Sequence, residues 1–323
     1  MKWALAAALG FALIAPSAVS AQDEPYPSRP VRLLVGAAPG GNPDVLGRLL
    51  AAKFLEALGQ PYVIENMPGA GGVVAANVAV KAAPDGYMLM LGDSGALAIS
   101  SALNPTLGYH PLKDLTPITA LATVPTVLVV PPSMPETLPE FIALARKEPR
   151  KLSYGSAGPG SIHHLTMAIF ADATGIDMLH VPYRGGSAMV NGLLTGEIQA
   201  GWSGLPNVMP LVESGKLRAY CISILERSKS MPTVPTCAEL GYKDFNIATM
   251  LGMQGPAGLP AKVVSVMQSA AAKAMREPAM AERMVQLGMV MQENGTAHYQ
   301  QFMKDDMERY GAAVQKLNLQ IKQ

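Results

Sequence analysis

Short apolar runs alternate with longer stretches of helical periodicity along most of the chain. Val31–Val35 and residues 62–65 have the length of buried strands, and residues 43–58 between them carry apolar side chains at helical spacing. Gly59 follows this helical stretch, as is typical of a helix C-terminus. Because strands that alternate with helices are joined by right-handed crossovers, the pattern predicts an α/β fold with a mostly parallel sheet.

The alternation restarts at a second apolar strand, residues 127–130, which is bounded by prolines. A further extended segment at residues 245–255 leads into the C-terminal helices. Two α/β units joined by two extended segments predict two lobes, and ligand sites tend to lie where two such units meet. The predicted lobes consist of residues 22–123 plus 246–323 and of residues 124–245.

The N-terminal residues have the features of a secretory signal peptide. A positive charge at Lys2 precedes an apolar core at residues 3–15, and the small residues Val19 and Ala21 occupy the −3 and −1 positions of a cleavage site. The alternative is a membrane anchor, which needs about 20 apolar residues. We therefore expect a signal peptide at residues 1–21, cleavage after Ala21 and a soluble mature protein in the periplasm.

Composition and charge exclude some classes of partner. The net charge is +1 over 323 residues and no basic cluster is present, which argues against a nucleic-acid partner. In an exported chain the two cysteines, Cys221 and Cys237, form one disulfide or remain separate buried thiols. Neither cysteine has a neighbour at metal-ligand spacing, so we expect no metal site, and no motif points to a cofactor.

Four loops rich in glycine and serine each follow a predicted strand and precede a predicted helix. Such loops expose backbone N–H groups at helix N-termini, where the helix dipole favours an anion. In open α/β sheets they gather at the carboxyl ends of the strands, so two loops from each predicted lobe are expected to face each other across a cleft. None of them matches a Walker A or dinucleotide motif, which disfavours a nucleotide. The loops are residues 36–42, 92–95, 155–161 and 183–187.

The segment Gly92-Asp93-Ser94-Gly95 leaves an enzyme alternative open. A chymotrypsin-type order is excluded because every histidine lies downstream of Ser94. A Gly-Asp-Ser hydrolase with Ser94 as nucleophile would need an aspartate and a histidine close together near the C-terminus. His298 has no aspartate within several residues before it, so a binding protein is the better interpretation and an enzyme is not expected.

Several motifs follow one another in order along nearly the whole mature chain. They include Pro39-Gly-Gly-Asn-Pro-Asp44, Glu65-Asn-Met-Pro-Gly-Ala-Gly-Gly72 and His180-Val-Pro-Tyr-Arg-Gly185. These motifs resemble the Bug family, the solute receptors associated with tripartite tricarboxylate transporters. The resemblance implies a two-lobed type II periplasmic binding protein that closes on its ligand. It also implies two integral-membrane transporter subunits as partners, although a sensor that presents its ligand to a membrane receptor would use the same binding chemistry.

The resemblance also implies where the ligand lies. A carboxylate would be held by residues 39–44, largely through backbone amides and ordered waters, and the other loops would complete the cleft. Trp202, at the end of a predicted strand, is interpreted equally well as a pocket wall or as core packing. The expected ligand-binding residues are Pro39, Gly40, Gly41, Asn42, Pro43, Asp44, Ser94, Gly95, Ser156, Ala157, Gly158, Ser161, His163, Arg184, Gly185, Gly186, Trp202 and Ser203.

Ser203 departs from the common family pattern, in which many members carry an aspartate at this position. An acidic residue there would pair with the amino group of an amino-acid-like ligand, so a neutral serine predicts a ligand without a cationic group. The expected ligand is an aliphatic or aromatic mono- or dicarboxylate, and a terephthalate-like aromatic dicarboxylate is one candidate. We expect a monomer, because a receptor of this kind must hinge.

Overall fold

The computed structural model describes residues 25–104, 106–243, 245–317 and 319. The predicted signal peptide lies outside these residues and stays a prediction. Within them, no helix is both long and apolar enough to cross a membrane. The strands are β1 (Val31–Val35), β2 (Tyr62–Asn66), β3 (Met88–Asp93), β4 (Leu115–Val130), β5 (Ser153–Ser156), β6 (Leu179–Pro182), β7 (Ala200–Gly204), β8 (Arg218–Ile222), β9 (Ala248–Pro256) and β10 (Val290–Met291).

The helices follow the predicted alternation with the strands. A 3₁₀ turn at Ala70–Gly72 precedes α2, and a π-helical turn at Gly95–Ile99 precedes α3. The helices are α1 (Asn42–Leu58), α2 (Val73–Ala79), α3 (Ser100–Leu103), α4 (Leu138–Lys147), α5 (Ile162–Thr174), α6 (Gly186–Leu194), α7 (Leu205–Glu213), α8 (Ala261–Arg276), α9 (Pro278–Gln286) and α10 (Thr296–Lys316). Helix α8 ends at Arg276 and α9 begins at Pro278, because proline cannot continue the hydrogen bonding of the preceding helix.

The strands form two half-sheets that share the long strand β4. In the first half-sheet the order is β2-β1-β3-β9-β4, with β4 contributing residues 115–125 and pairing also with β10. In the second half-sheet residues 126–130 of β4 lie between β8 and β7, and β5 and β6 continue beyond β7. This arrangement confirms the predicted α/β class.

The prediction of a mostly parallel sheet is wrong for the strands that join the half-sheets. Strand β1 is parallel to β2 and β3, and β5 is parallel to β6 and β7, as the helical crossovers between them require. Strands β4 and β9, in contrast, run antiparallel to every described neighbour. Residues 115–130 pass from one half-sheet to the other without an intervening helix, so the direction that a β-α-β unit imposes does not apply to them.

Apolar side chains fill both faces of each half-sheet. In β1 the side chains of Leu33 and Val35 lie in one core cluster, and Leu34, between them, lies in another. This alternation is the period-two pattern of a strand that is covered by helices on both faces. In the second half-sheet Trp202 is fully buried and packs against Phe170 and Phe245, so the structure supports its interpretation as core packing.

Cys221, in β8, and Cys237 are joined as a disulfide with a Cα–Cα distance of 5.1 Å. Both side chains are fully buried, and the Cys237 N–H also donates to the carbonyl oxygen of Ile222. The bond closes a loop across a sequence separation of 16 residues at the edge of the second half-sheet. Of the two cysteine states considered from the sequence, the structure therefore contains the disulfide.

Replacing both cysteines with alanine is expected to lower the free energy of unfolding by about 3 kcal/mol. The reason is that cross-linking a loop of this length removes conformational entropy worth about that much from the unfolded chain. Urea unfolding of the wild type and of the Cys221→Ala/Cys237→Ala variant measures the difference. Dithiothreitol serves as the control, since it should shift the wild-type transition and leave the variant unchanged. Coincident transitions for the two proteins would contradict the prediction.

Candidate functional site

A cavity of about 570 Å³ lies between the loops of the two half-sheets. In the first half-sheet it is lined by the loops that follow β1, β2 and β3, and in the second by the loops that follow β5 and β6. These are the carboxyl ends of parallel strands, where α/β proteins bind their ligands. The predicted binding residues that line it are Gly41, Asn42, Pro43, Gly95, Ala157, Gly158, Ser161, His163, Arg184, Gly185 and Gly186.

Two helices begin at this cavity with uncapped N-termini. Helix α1 starts at Asn42 and α6 starts at Gly186, and no described side chain accepts a hydrogen bond from the first-turn amides of either helix. Helix α5 differs, because Ser161 Oγ accepts a hydrogen bond from the N–H of His164. First-turn amides without an intrahelical acceptor can donate to an anion, and the helix dipole adds to the attraction. The cavity therefore offers anion-binding amides from both half-sheets.

Charged side chains are sparse along the cavity wall. Among the described lining residues, Arg184 is the cation and Asp93 is the carboxylate. Asp93 Oδ1 accepts hydrogen bonds from the N–H groups of Gly95 at 2.9 Å and Ala96 at 3.2 Å. Burial raises the pKa of Asp93 to about 6, although these two bonds act in the opposite direction. Asp93 is therefore largely ionised at pH 7, at a cost in desolvation.

His163 is a buried imidazole at the start of α5 and lies against Gly186 of α6. Burial lowers its pKa to about 4, so the ring is neutral at physiological pH. Its Nδ1 atom has no hydrogen-bond partner within the described part of the chain. A neutral imidazole supplies one donor and one acceptor, so His163 can bind a polar group of a ligand without adding charge.

The two half-sheets touch each other around the cavity at glycine positions. A Cβ atom at Gly71 would lie 3.2 Å from the carbonyl oxygen of Gly160, and one at Gly185 would lie 3.5 Å from Ala38 Cβ. At Gly204, a Cβ atom would overlap the side-chain nitrogen of Asn42. A side chain at Gly71 or Gly204 would therefore obstruct this approach of the two half-sheets, whereas the distance at Gly185 is ordinary van der Waals contact.

Asp44 and Ser94, both expected to bind ligand, do not line the cavity. Asp44 is buried, accepts a hydrogen bond from Gly40 N–H at 2.9 Å and pairs with Arg48, so it holds the 39–44 loop in place from behind. Ser94 Oγ donates to Asp306 at 2.7 Å and accepts from the N–H of Met250 at 2.9 Å. No described histidine is bonded to Ser94, whose hydroxyl is instead held by Asp306 and Met250, so the arrangement of a serine nucleophile with its base is not formed there.

Ser156, Trp202 and Ser203 also lie outside the lining. Ser156 Oγ is buried 2.7 Å from Nε2 of His180 and accepts from Gly158 N–H at 3.1 Å, which shapes the loop that does line the cavity. Ser203 is fully buried in β7 beside Trp202. Because Ser203 does not reach the cavity, its neutrality says nothing about the charge of the ligand. Pro39 and Gly40 flank the lining residues of their loop without being among them.

Several lining residues were missed from the sequence. The segment Pro68–Gly71 follows β2 and precedes α2, and its glycines are the same signal that marked the other four loops. Asp93 belongs to the predicted loop 92–95 and stands next to the expected ligand-binding residue Ser94. Thr249 and Asn207 carry no local signal, because they reach the cavity only through the folding of β9 and α7. The further lining residues are Gly36, Ala37, Ala38, Pro159, Ile162, Pro182, Tyr183 and Ser187.

Comparisons of this chain with a family model and with known proteins agree on one family. The family model described as the tripartite tricarboxylate transporter family receptor matches residues 46–319. Protein BugT of Bordetella pertussis is 33% identical over 299 residues, which cover 92% of this chain and 92% of BugT.

Solved structures of similar proteins contain carboxylates. The R. palustris protein Rpa4515 with adipate is 30% identical and matches with a TM-score of 0.88. The match covers 91% of this chain and 98% of Rpa4515. MatC from Rhodopseudomonas palustris with bound malate is 31% identical, with a TM-score of 0.86 over 90% of this chain and 100% of MatC.

A ligand-free relative matches less closely. The TctC solute-binding protein from Polaromonas without ligand is 28% identical, and the match covers 90% of this chain and 99% of that protein. Its TM-score is 0.67, well below the values for the two ligand-bound structures, although the identity and the coverage are similar.

Proposed function

Because this chain belongs to the tripartite tricarboxylate transporter family of receptors, we propose that it binds a small organic carboxylate in the cavity and delivers it to integral-membrane transporter subunits. The family consists of periplasmic solute-binding receptors and not of enzymes, and the periplasm is the proposed location. The observation that carries the choice of ligand is the pair of uncapped helix N-termini, α1 and α6, which meet at one cavity from opposite half-sheets.

The proposed ligands are aliphatic or aromatic mono- and dicarboxylates. The relatives with adipate and malate support the dicarboxylates, since each of those ligands carries a carboxylate at both ends. Two anion-binding helix termini on opposite sides suit such a molecule, and about 570 Å³ is an ordinary size for a small-molecule site. A terephthalate-like aromatic dicarboxylate remains a candidate within this range.

The proposal includes closure of two lobes around the ligand. The lobes are those predicted from the sequence, residues 22–123 plus 246–323 and residues 124–245, with β4 and β9 as the connections. The glycine contacts between the half-sheets support a closed arrangement in this structure. The closer match to the two ligand-bound relatives than to the ligand-free relative supports the same interpretation.

A thermal-shift screen of the mature protein, from residue 22, tests the proposed function. The panel contains about a hundred organic acids and amino acids, and the protein is first unfolded, dialysed and refolded to remove any ligand carried from the expression host. A ligand at 100 times its Kd adds about 2.7 kcal/mol to the free energy of unfolding, which raises Tm by several degrees. We expect such shifts only from one group of carboxylates.

The control for each hit is its neutral methyl ester or amide, which keeps the carbon skeleton and removes the charge. An anion held by backbone amides should lose most of its shift when it becomes neutral. Equal shifts from the acid and its ester, or shifts from neutral solutes alone, would contradict the proposed function.

A further inference from the structure

We propose that Asp93 makes this cavity select carboxylates that carry a hydrogen-bond donor, a hydroxyl or an ammonium group, close to the carboxylate. This inference rests on the proposed function, because it assumes that the ligand is an organic carboxylate bound in the same cavity. It adds the class of substituent that the ligand carries.

The geometry of Asp93 leaves one carboxylate oxygen available to the ligand. Asp93 is the last residue of β3, and its Oδ1 atom is occupied by the N–H groups of Gly95 and Ala96, which open the π-helical turn. No described protein group donates to Oδ2, and Asp93 is half-buried at the cavity wall. A ligand in the cavity therefore meets an acceptor oxygen with unused lone pairs.

A purely structural role explains only part of this arrangement. Capping the turn takes one oxygen acceptor, which serine, threonine or asparagine supplies equally well without charge. No described lysine, arginine or histidine forms an ion pair with Asp93, and burial disfavours its ionised form. A partly buried carboxylate that has no described countercharge and one oxygen without a described donor, at a binding cavity, indicates that the missing partner comes with the ligand.

The charge of the ligand determines which ligand group can bond to Asp93. A carboxylate placed beside ionised Asp93 is repelled unless a donor lies between the two anions. A hydroxyl or ammonium group next to the ligand carboxylate supplies that donor, and the helix N-termini and Arg184 remain for the carboxylate itself. This replaces the expectation, drawn from Ser203, of a ligand without a cationic group, because Ser203 is buried away from the cavity and Asp93 lines it.

Matched ligands that differ only at the second carbon test the proposal. Succinate, malate and aspartate share a four-carbon skeleton and carry hydrogen, hydroxyl and ammonium, and adipate, 2-hydroxyadipate and 2-aminoadipate form the six-carbon series. Calorimetry at pH 7.5 measures the Kd of each for the wild type and for Asp93→Asn. In each series we expect the wild type to bind one of the two donor-bearing ligands, the hydroxyl or the ammonium compound, at least about tenfold more tightly than the ligand without a donor. A hydrogen bond to a charged group can supply a difference of this size.

In Asp93→Asn this preference should fall by about tenfold, because the donor-bearing ligand loses an ionic acceptor and the donorless ligand loses a repulsive charge. The asparagine keeps an oxygen for the Gly95 and Ala96 amides, and Asp93→Ser is a second variant that keeps a capping oxygen. Glu213→Gln is the control, since it removes the same charge from an exposed position on α7. The relative affinities of malate and aspartate identify the donor as hydroxyl or ammonium.

Two outcomes overturn the inference and separate it from the proposed function. If wild-type protein binds carboxylates but shows no donor preference, or the preference survives in both Asp93 variants, the inference fails and the proposed function stands. If refolded wild-type protein binds no carboxylate, both fail together.

Discussion

Valine in place of Gly204 is expected to weaken carboxylate binding by about 10- to 100-fold and to leave the thermal stability of the ligand-free protein nearly unchanged. Gly204 ends β7 in the second half-sheet, and the Asn42 side chain at the start of α1 lies against its Cα atom. The backbone at Gly204 has φ −58° and ψ 137°, which any residue adopts, and the three atoms nearest to a Cβ atom there all belong to the Asn42 side chain. Overpacking of this kind costs about 1–3 kcal/mol.

In the proposed closure the cost falls on the closed arrangement, because the two residues belong to opposite half-sheets and would separate on opening. Calorimetry with a carboxylate from the screen measures the affinity, and a melting curve without ligand measures the stability. Gly311→Val is the matched control, since nothing lies within 4 Å of a Cβ atom at that position in α10. If ligand-free Gly204→Val melts several degrees below the wild type, the clash is present without ligand. That result would contradict closure at this contact.

A double-mutant cycle tests whether the effect arises from the contact between Gly204 and Asn42. Asn42→Ala removes the amide that valine would displace, so Asn42→Ala together with Gly204→Val should lose less affinity than the sum of the two single changes. Additive losses would place the obstruction elsewhere.

Alanine in place of Asp306 is expected to lower the free energy of unfolding by about 3 kcal/mol, the lower end for breaking a buried ion pair, because Arg309 is partly exposed. Asp306 is 3% exposed and accepts hydrogen bonds from Ser94 and Arg309. Its removal leaves the Ser94 hydroxyl without its acceptor beside β9, where Ser94 also holds the N–H of Met250. The network therefore joins α10 to the turn after β3 and to a connecting strand.

Urea unfolding of the Asp306→Ala variant measures this effect. Asp305→Ala is the control, because Asp305 is the exposed neighbour on the same helix and, among the described residues, bonds only to Gln301. Burial raises the pKa of Asp306, so the neutral isostere in Asp306→Asn should restore part of the lost stability. Similar losses for Asp305→Ala and Asp306→Ala would show that the buried network contributes nothing beyond helix α10 itself.

The sequence by itself determined the elements and the kind of site. Local signals set the boundaries of α4 and α5, such as the Thr137 capping box at the start of α4 and Gly175 at the end of α5. Residues 115–121 of β4 were not predicted as a strand, since Pro117 interrupts them and the strand is irregular near Pro117. The glycine-rich loops and the family motifs could also be recognised in the sequence, because each of them is formed by a short stretch of chain.

Only the tertiary structure decided which side chain of a motif reaches the cavity. Asp93 and Ser94 are adjacent, yet Asp93 lines the cavity and Ser94 is bonded to Asp306, which lies 212 residues further along the chain. Ser203 follows Trp202, the end of the predicted strand, and is nevertheless buried within β7. The physical reason is that neighbouring residues at a strand end point to opposite sides, and the side that is covered depends on distant helices that no local pattern specifies.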